Sequence, residues 1–333
     1  MTTIQWGIIG CGDVTEVKSG PGFQKAENSV LVAVMRRNGR LAEDYARRHG
    51  VSKWYDDGRD LIADPQVNAI YIATPTYAHK EYTLLAAAAG KPVYVEKPMA
   101  MNHAECVEMV EACSAAGVPL WVAYYRRTLP RFLKVKELID SGVIGDIHAV
   151  SVNLYQGVRP NQLDGEDQSW RVRPEINGGG QFMDLAVHTL DFLDYALGPI
   201  AVAQGYAANQ AGNYAAEDIV SSTFVFESGV VGNGLWYFNS REELDRNEIR
   251  GSNGTIVFSS FSDDPVRLIR GSSLEEFDIP HPAHVQQPLI QSIVDELNGH
   301  GSCPSTGASA ARTNRITDQM LHSYYQDQQQ TKY

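Results

Sequence analysis

The chain has 333 residues, of which 43% are hydrophobic and 20% charged, and its formal net charge is −12 at pH 7. This length favours two domains, and the acidic balance argues against general nucleic-acid binding, which needs a basic face. No segment approaches the roughly 20 apolar residues of a membrane helix, and the four scattered cysteines have no metal-ligand spacing, so we expect a soluble cytoplasmic protein without a bound metal.

The first predicted strand, residues 4–9, runs directly into a glycine turn. In a dinucleotide-binding turn the first glycine permits the tight bend, the second lets the pyrophosphate approach the backbone, and the following helix offers its amino-terminal dipole. A glycine turn that follows a strand at the start of the chain favours this interpretation over an ordinary turn. Thr15 stands at the third small position, where Gly or Ala is usual. The residues predicted to meet the cofactor here are Gly10, Cys11, Gly12, Asp13 and Val14.

The second predicted strand, residues 30–35, ends in Arg36-Arg37-Asn38. In NAD sites an acidic residue near this point holds the ribose hydroxyls, whereas NADP sites replace it with basic or small polar residues. A guanidinium binds phosphate through two charge-assisted hydrogen bonds, so Arg36 and Arg37 favour NADP over NAD. The alternative is that both arginines only open a solvated, arginine-rich helix.

Strands and helices continue to alternate up to residue 125. Strands are predicted at residues 68–73, 93–95 and 119–124, and helices at residues 79–89 and 102–116. In the second helix Asn102 is the predicted cap and Glu105 occupies the reciprocal position of a capping box. This alternation predicts an α/β domain over residues 1–125, with a doubly wound parallel sheet of the Rossmann type.

The strand at residues 93–95 stops abruptly at Glu96-Lys97-Pro98. Such a strand presents an ionisable side chain at the carboxyl edge of the sheet, where ligands of open parallel sheets bind. Lys97 is therefore the first candidate for chemistry. Taken alone, a solvated lysine at a strand end is the more common situation.

The pattern changes after residue 126, where an α+β domain is predicted over residues 126–333. Strands cluster there with a single helix, residues 181–197, inserted among them, which predicts an open, largely antiparallel sheet. Because few helices cover such a sheet, we expect a homodimer or higher homo-oligomer that hides its open face. A frayed tail is expected from Gln326. The strands are predicted at residues 147–155, 201–208, 219–226, 230–237, 247–250, 255–259 and 266–269, and the other helices at 131–141, 288–298 and 308–325.

The inserted helix follows the run Gly178-Gly179-Gly180 and carries Asp184 and His188. Residues four apart project from the same face of a helix. A carboxylate beside an imidazole can orient the ring and raise its basicity, as a proton-transfer histidine requires. The glycine run lets the start of the helix approach a ligand or another backbone closely. An Asp/His pair of this spacing is also common on protein surfaces.

Four motifs, taken together and in this order, resemble the Gfo/Idh/MocA oxidoreductases, which include glucose-fructose oxidoreductase and inositol dehydrogenase. They are Gly7 to Gly12, Ala73-Thr74-Pro75 with His79, Glu96-Lys97-Pro98, and the glycine run that leads to Asp184 and His188. The similarity extends from the first strand to at least Gly198. The departures are Thr15, and Tyr125 where an Asn is common. Trp170-Arg171 resembles a pair in the branch that contains 1,5-anhydro-D-fructose reductase.

The resemblance implies reversible hydride transfer between a nicotinamide and a sugar or polyol. Lys97, Asp184 and His188 would be the catalytic set, with His188 moving the hydroxyl proton, Lys97 hydrogen-bonding the same oxygen, and Asp184 orienting the histidine or binding a neighbouring hydroxyl. A cis Lys97-Pro98 bond is also expected. Tyr155, Arg126, Arg171 and His284 are candidates for the sugar site, each with an equally good structural explanation, and Trp170 has one in simple packing. Further residues expected at the cofactor are Thr74, Pro75, His79, Glu96, Lys97, Arg126, Trp170 and Arg171.

Two other functions compete with this hypothesis. One is a glycosidase that uses a tightly held nicotinamide to oxidise and re-reduce its sugar transiently. The other is a non-catalytic dinucleotide-sensing protein, which predicts loss of Lys97, Asp184 or His188, and the sequence retains all three.

Overall fold

The computed structural model describes residues 1–163 and 168–330. Its contacts divide the chain into two compact units: unit 1 consists of Met1–Leu129 and His281–Ala311, and unit 2 of Pro130–Pro280 and Arg312–Tyr333. This division differs from the predicted domains 1–125 and 126–333 because residues 126–129 and 281–311 belong to unit 1. The buried side chain of Gln286 explains the return, since it hydrogen-bonds Tyr94 and Glu96.

Unit 1 contains a parallel sheet of six strands in the order β3-β2-β1-β4-β5-β6. This order confirms the predicted Rossmann sheet. Apolar residues fill β4 and β5, which are buried along their whole length, as expected of strands covered on both faces. The strands are β1 Ile4–Ile9, β2 Ser29–Met35, β3 Lys53–Tyr55, β4 Ala69–Ile72, β5 Val93–Val95 and β6 Leu120–Val122.

The helices of unit 1 follow these strands along the chain. The helix predicted after the glycine turn is interrupted: α1 has five residues, and α2 follows after Ser19. In α6 the side chain of Asn102 accepts from the amide of Glu105, as predicted, and the Glu105 carboxylate accepts from the amide of Met101. The helices up to residue 129 are α1 Asp13–Val17, α2 Gly20–Lys25, α3 Gly39–His49, α4 Gly58–Ala63, α5 His79–Ala88 and α6 His103–Ala115.

Unit 2 contains a sheet of eight strands in the order β14-β13-β12-β11-β7-β10-β9-β8. Only the pairing of β7 with β10 is parallel among its described pairs, which confirms the predicted, largely antiparallel sheet. Its strands are β7 Ile147–Tyr155, β8 Ile200–Ala208, β9 Ile219–Phe226, β10 Val231–Tyr237, β11 Leu244–Gly251, β12 Thr255–Phe258, β13 Val266–Arg270 and β14 Ser273–Phe277. The helices up to this point are α7 Pro130–Asp140, α8 Pro174–Asn177 and α9 Gln181–Leu197.

The two faces of this sheet differ. On one face α9 packs against aromatic side chains: Phe182 lies 5.0 Å from Trp236 between ring centroids, and Phe192 lies 5.6 Å from Phe258. The other face leaves Tyr206 and Val231 exposed. Strand alternation explains the difference, because neighbouring residues along each strand point to opposite faces.

Two helices complete the chain, α10 Gln287–Leu297 in unit 1 and α11 Gly307–Gln330. The helix continues through Gln326, where fraying was expected, and the last part of the predicted tail, residues 331–333, lies outside the described residues. No helix among residues 1–163 and 168–330 is both long and apolar enough to cross a membrane.

Candidate active site

The glycine turn after β1 lies against the end of β4. Gly10 has a φ of +94°, and a Cβ there would come within 2.8 Å of the backbone of Ala73 and Thr74. Only glycine fits this position without strain. A Cβ on Gly12 would meet nothing nearer than the carbonyl oxygen of Gly10, at 3.9 Å. The backbone at Gly12 is therefore open to a ligand that approaches closely.

The residues around this turn divide between packing and exposure. The side chain of Cys11 is buried, and burial raises the pKa of its thiol to about 11, so it is a protonated packing residue. Thr15 is also buried: its hydroxyl donates to the carbonyl of Gly12 at 2.7 Å, which explains how a threonine fits the third small position. Asp13 is exposed and Val14 half-buried at the start of α1.

The segment after β4 carries a buried hydroxyl and a buried imidazole. The hydroxyl of Thr74 has no hydrogen-bond partner among the described residues. His79 is 1% exposed, with Nδ1 lying 3.0 Å from the carbonyl of Pro98 and Nε2 2.9 Å from that of Thr74. Burial lowers the pKa of His79, against the opposite effect of these carbonyls. The ring therefore ties the chain after β4, which includes Pro75, to the chain after β5.

Glu96, directly after β5, is buried and accepts three hydrogen bonds. Tyr71 and Gln286 each donate to Oε1 at 2.6 Å, and the amide of Lys97 donates to Oε2 at 3.1 Å. Tyr94 in turn donates to the side-chain oxygen of Gln286 at 2.7 Å. Burial raises the pKa of Tyr71 and of Tyr94 well above the usual value, so both phenols remain donors. Glu96 thus faces the interior of unit 1 and fixes the peptide that leads to Lys97.

Lys97 is half-buried and follows this anchored carboxylate. The Lys97-Pro98 peptide bond is cis, as predicted. Because β1, β4 and β5 are adjacent parallel strands, their carboxyl ends share one edge of the sheet. That edge brings together the turn at Gly10, the hydroxyl of Thr74 and the backbone of Lys97.

Arg36 and Arg37 lie at the end of β2, where both side chains are exposed. Within the described part of the chain neither forms an ion pair with a carboxylate, whereas Arg47 and Arg48 in α3 are both paired with Asp44. The charge of Arg36 is close enough to Cys11 to lower the pKa of that thiol, against the larger opposite effect of burial. The guanidinium of Arg36 is therefore near the glycine turn and available for an anion.

In unit 2, α9 presents Asp184 and His188 one turn apart on one face. His188 is 3% exposed, and its ring lies 6.0 Å from that of Phe261. The Asp184 carboxylate forms an ion pair with Arg171 at 3.5 Å. The guanidinium of Arg171 also stacks on Trp170, 4.6 Å from the ring centroid. The pair Trp170-Arg171 is thus linked to the predicted catalytic carboxylate.

The start of α9 is held by residues that carry no sequence motif. The amide of Gly180 donates to Glu217 at 2.9 Å, and Asn177 donates to the carbonyls of Gly180 and Arg171. Glu217 and Asn177 are both fully buried. The glycine run is needed because a Cβ on Gly180 would come within 2.8 Å of the carbonyl oxygen of Glu217. The glycine run was predicted to approach a ligand or another backbone closely, and the backbone of Glu217 is such a neighbour.

The structure gives the other candidate residues different surroundings. Tyr155 points to the sheet face opposite α9, where its hydroxyl contacts Asn153 and its ring lies 6.4 Å from that of Tyr237. His284 contacts the carbonyl of Val17 and the ammonium of Lys25, both in unit 1. The side chains of Tyr155 and His284 therefore both contact other protein groups. Arg126 is buried and lies over the ring of Tyr125, at 5.2 Å from its centroid.

These features fit a dinucleotide in unit 1. The open backbone at Gly12 gives room for a pyrophosphate, the buried Thr74 hydroxyl offers a hydrogen bond that no protein group uses among the described residues, and Arg36 offers positive charge. In residues 1–163 and 168–330 no group of three or more His, Cys, Asp or Glu side chains is placed to hold a metal ion.

Comparisons with known families match both parts of the chain. Residues 4–124 match the oxidoreductase family with an NAD-binding Rossmann fold, and residues 132–257 match the GFO/IDH/MocA C-terminal domain. The two matches cover the glycine turn, Lys97, and the helix with Asp184 and His188.

Individual proteins of known sequence or structure resemble almost the whole chain. Oxidoreductase P35 of Formosa agariphila is 41% identical over 315 residues, which cover 95% of this chain and 97% of that protein. The 1,5-anhydro-D-fructose reductase of Ensifer adhaerens is 29% identical over 310 residues, 91% of each protein. A crystal structure of an oxidoreductase from Agrobacterium radiobacter, in complex with NAD+, L-tartaric acid and magnesium, superimposes with a TM-score of 0.85 at 20% identity over 97% of each chain. At this identity the superposition shows a shared fold.

Proposed function

Because the chain belongs to the GFO/IDH/MocA oxidoreductases, we propose that it transfers a hydride reversibly between a nicotinamide cofactor and a hydroxyl- or carbonyl-bearing carbon of a sugar or polyol. The observation that carries the proposal is the sheet edge of unit 1, where Gly10, Thr74 and Lys97 follow three adjacent parallel strands. The substrate class is supported by the similarity to 1,5-anhydro-D-fructose reductase.

Each proposed catalytic residue has a distinct chemical task. The ammonium of Lys97 donates to the reacting oxygen and stabilises the negative charge that develops there. The imidazole of His188 takes the hydroxyl proton during oxidation and returns it during reduction. Asp184, held by Arg171, binds a neighbouring hydroxyl or orients the histidine. The bound nicotinamide supplies the hydride acceptor or donor.

NADP is the proposed cofactor. Support comes from the absence of an acidic side chain at the end of β2, where residues 36–38 are Arg-Arg-Asn, and from the exposed guanidinium groups there. A guanidinium pairs well with the 2′-phosphate that distinguishes NADP from NAD. The proposed contacts are Gly10 to Val14, Thr74 and Arg36, with Trp170 and Arg171 from unit 2. In this proposal His79 and Glu96 shape the loops that bind the cofactor.

The proposed assembly is a homodimer formed by the open face of the unit 2 sheet. The proposal is supported by a row of apolar residues across three adjacent strands of that face, where Val225 pairs with both Val202 and Val231. Tyr206 is 71% exposed on the same face. A cytoplasmic location is proposed from the four cysteines, which are buried and form no disulfide.

The catalytic assignment is tested by Lys97→Met and His188→Ala. We expect each variant to lose about 100-fold or more in kcat, because a positioned proton-transfer or oxyanion-binding group contributes on this order. NADPH binding, measured by fluorescence titration, should be largely kept. The substrates to screen are sugars, inositols and dicarbonyl sugars, with consumption of NADPH followed by absorbance. Stoichiometric consumption also separates this reaction from a glycosidase that regenerates its cofactor.

Matched controls are Lys136→Met on the surface of α7 and His148→Ala, an exposed histidine of β7. Both control variants should turn over normally. Near-normal rates in Lys97→Met and His188→Ala would exclude these residues from the chemistry.

A further inference from the structure

We infer that Glu217 is a positioning residue that couples the catalytic helix α9 to the C-terminal helix α11. The inference rests on the proposed roles of Asp184 and His188. Glu217 lies just before β9 and is fully buried. Its Oε1 accepts the amide of Gly180 at 2.9 Å, and its Oε2 accepts the phenol of Tyr325 from α11.

The start of α9 depends on this carboxylate because the helix has no side-chain cap of its own. The capping residue is Gly180, and no side-chain hydrogen bond caps the helix there. The first amides of a helix have no partner within it, and a carboxylate near them is stabilising. Glu217 fills this role from another part of the chain, 37 residues away.

A second contact carries the position of Gly180 to the proposed catalytic carboxylate. Asn177 donates to the carbonyl of Gly180 at 3.3 Å and to that of Arg171 at 3.2 Å. Arg171 forms the ion pair with Asp184, which lies one turn into α9. A shift of Gly180 therefore changes the position of the Asp184 carboxylate in two ways. It moves the first turn of α9, and it moves Arg171, which is paired with Asp184.

The charge on Glu217 is sensitive to its surroundings. Burial raises the pKa of Glu217 to about 7, and the neighbouring Asp218 adds to this effect, while the hydrogen bonds from Tyr325 and Gly180 oppose it. Asp218 itself accepts the amides of Gln210 and Ala211. The nearby phenol of Tyr214 is buried and has no hydrogen-bond partner in the described part of the chain. Glu217 therefore changes its charge near pH 7, while its carboxyl group accepts a hydrogen bond from the amide of Gly180, the capping residue of α9.

The test compares Glu217→Gln and Tyr325→Phe with the wild-type enzyme. Glutamine keeps the size of the side chain and an acceptor for Gly180 but cannot ionise, so the ionisation of Glu217 should vanish from the pH profile of kcat. Tyr325→Phe removes a donor that favours the carboxylate, so the same ionisation should move to higher pH. His188 is present in every variant.

Thermal unfolding provides a readout that needs no activity. Because the folded pKa of Glu217 lies above the unfolded value, ionisation costs the wild type stability as the pH rises from about 4.5 to about 7. The Tm of Glu217→Gln relative to wild type should therefore rise between pH 5 and pH 8. The matched control is Glu227→Gln, an exposed carboxylate at the other end of β9, for which the difference should stay constant.

Superimposable kcat profiles of wild type and Glu217→Gln would overturn the inference. If Glu217→Gln does not fold, an unshifted profile in Tyr325→Phe would overturn it equally. Failure of the proposed function gives a different result: His188→Ala, in which Glu217 is intact, would then turn over at the normal rate.

Discussion

Replacement of Arg36 by alanine tests the preference for NADP directly. Arg36 is exposed at the end of β2, and its charge acts on Cys11 in the glycine turn. If its guanidinium binds the 2′-phosphate, Arg36→Ala should weaken NADPH binding and leave NADH binding nearly unchanged. The two cofactors differ only in this phosphate, so each serves as the internal reference for the other.

The size of the effect follows from the type of contact. A hydrogen bond to a charged group contributes about 1.5–3 kcal/mol, which corresponds to about 10- to 150-fold in affinity. Because Arg36 is exposed, water and salt screen its charge, and we expect the lower part of this range, about 10- to 30-fold. The loss should shrink further as the salt concentration rises, since exposed charges are screened within about 10 Å at 0.1 M ionic strength.

The assay is a fluorescence titration of NADPH and NADH at low and high salt. Arg47→Ala is the matched control, because Arg47 lies at the far end of α3 and is already paired with Asp44. Equal losses of NADPH and NADH affinity in Arg36→Ala would show that Arg36 does not meet the phosphate. An equal effect of Arg47→Ala on NADPH would show that general surface charge, and not this site, determines the preference.

Two further predictions concern the support of the site and the assembly. Gln286→Ala removes the acceptor of the Tyr94 phenol and one donor to Glu96, so it should lower the free energy of unfolding of unit 1 by about 1–3 kcal/mol, measured by thermal unfolding. The control is Gln291→Ala, at a more exposed position on α10. Equal Tm values for the two variants would contradict a role for this network. Tyr206→Glu places a charge on the open sheet face and should convert the proposed dimer to a monomer, as measured by light scattering. Leu133→Glu, on the exposed surface of α7, should leave the mass unchanged. An unchanged mass for Tyr206→Glu would place the interface elsewhere.

Local patterns of the sequence were sufficient to predict most elements near the site. The strand before Gly10, the strand before Glu96 and the helix with Asp184 were each predicted to within about one residue, because each is a run of apolar residues bounded by glycine, proline or charge. Short or polar elements were missed. β3 has three residues and lies at the sheet edge, and β14 is mostly exposed, so neither shows the burial pattern that identifies a strand.

The supports of the site could not be predicted in the same way. Glu96 and Gln286 are 190 residues apart, and Glu217 and Gly180 are 37 apart. Hydrogen bonds between distant residues leave no periodicity or spacing in the sequence. The side chain of Glu217, between an alanine and an aspartate before a strand, has the same local sequence features as a solvated acid.

The two proposed catalytic elements are held by buried carboxylates in different chemical settings. Glu96 accepts three hydrogen bonds, two from side chains and one from the amide of Lys97, so this buried carboxylate fixes the peptide of Lys97. Glu217 accepts two, from the amide of Gly180 and the phenol of Tyr325, and burial raises its pKa to about 7. Burial raises the pKa of Tyr71 and of Tyr94 well above the usual value, so the phenols of the Glu96 network remain hydrogen-bond donors near neutral pH. In the proposed site, the Glu217 carboxylate that supports Asp184 and His188 is the group whose own charge changes near neutral pH.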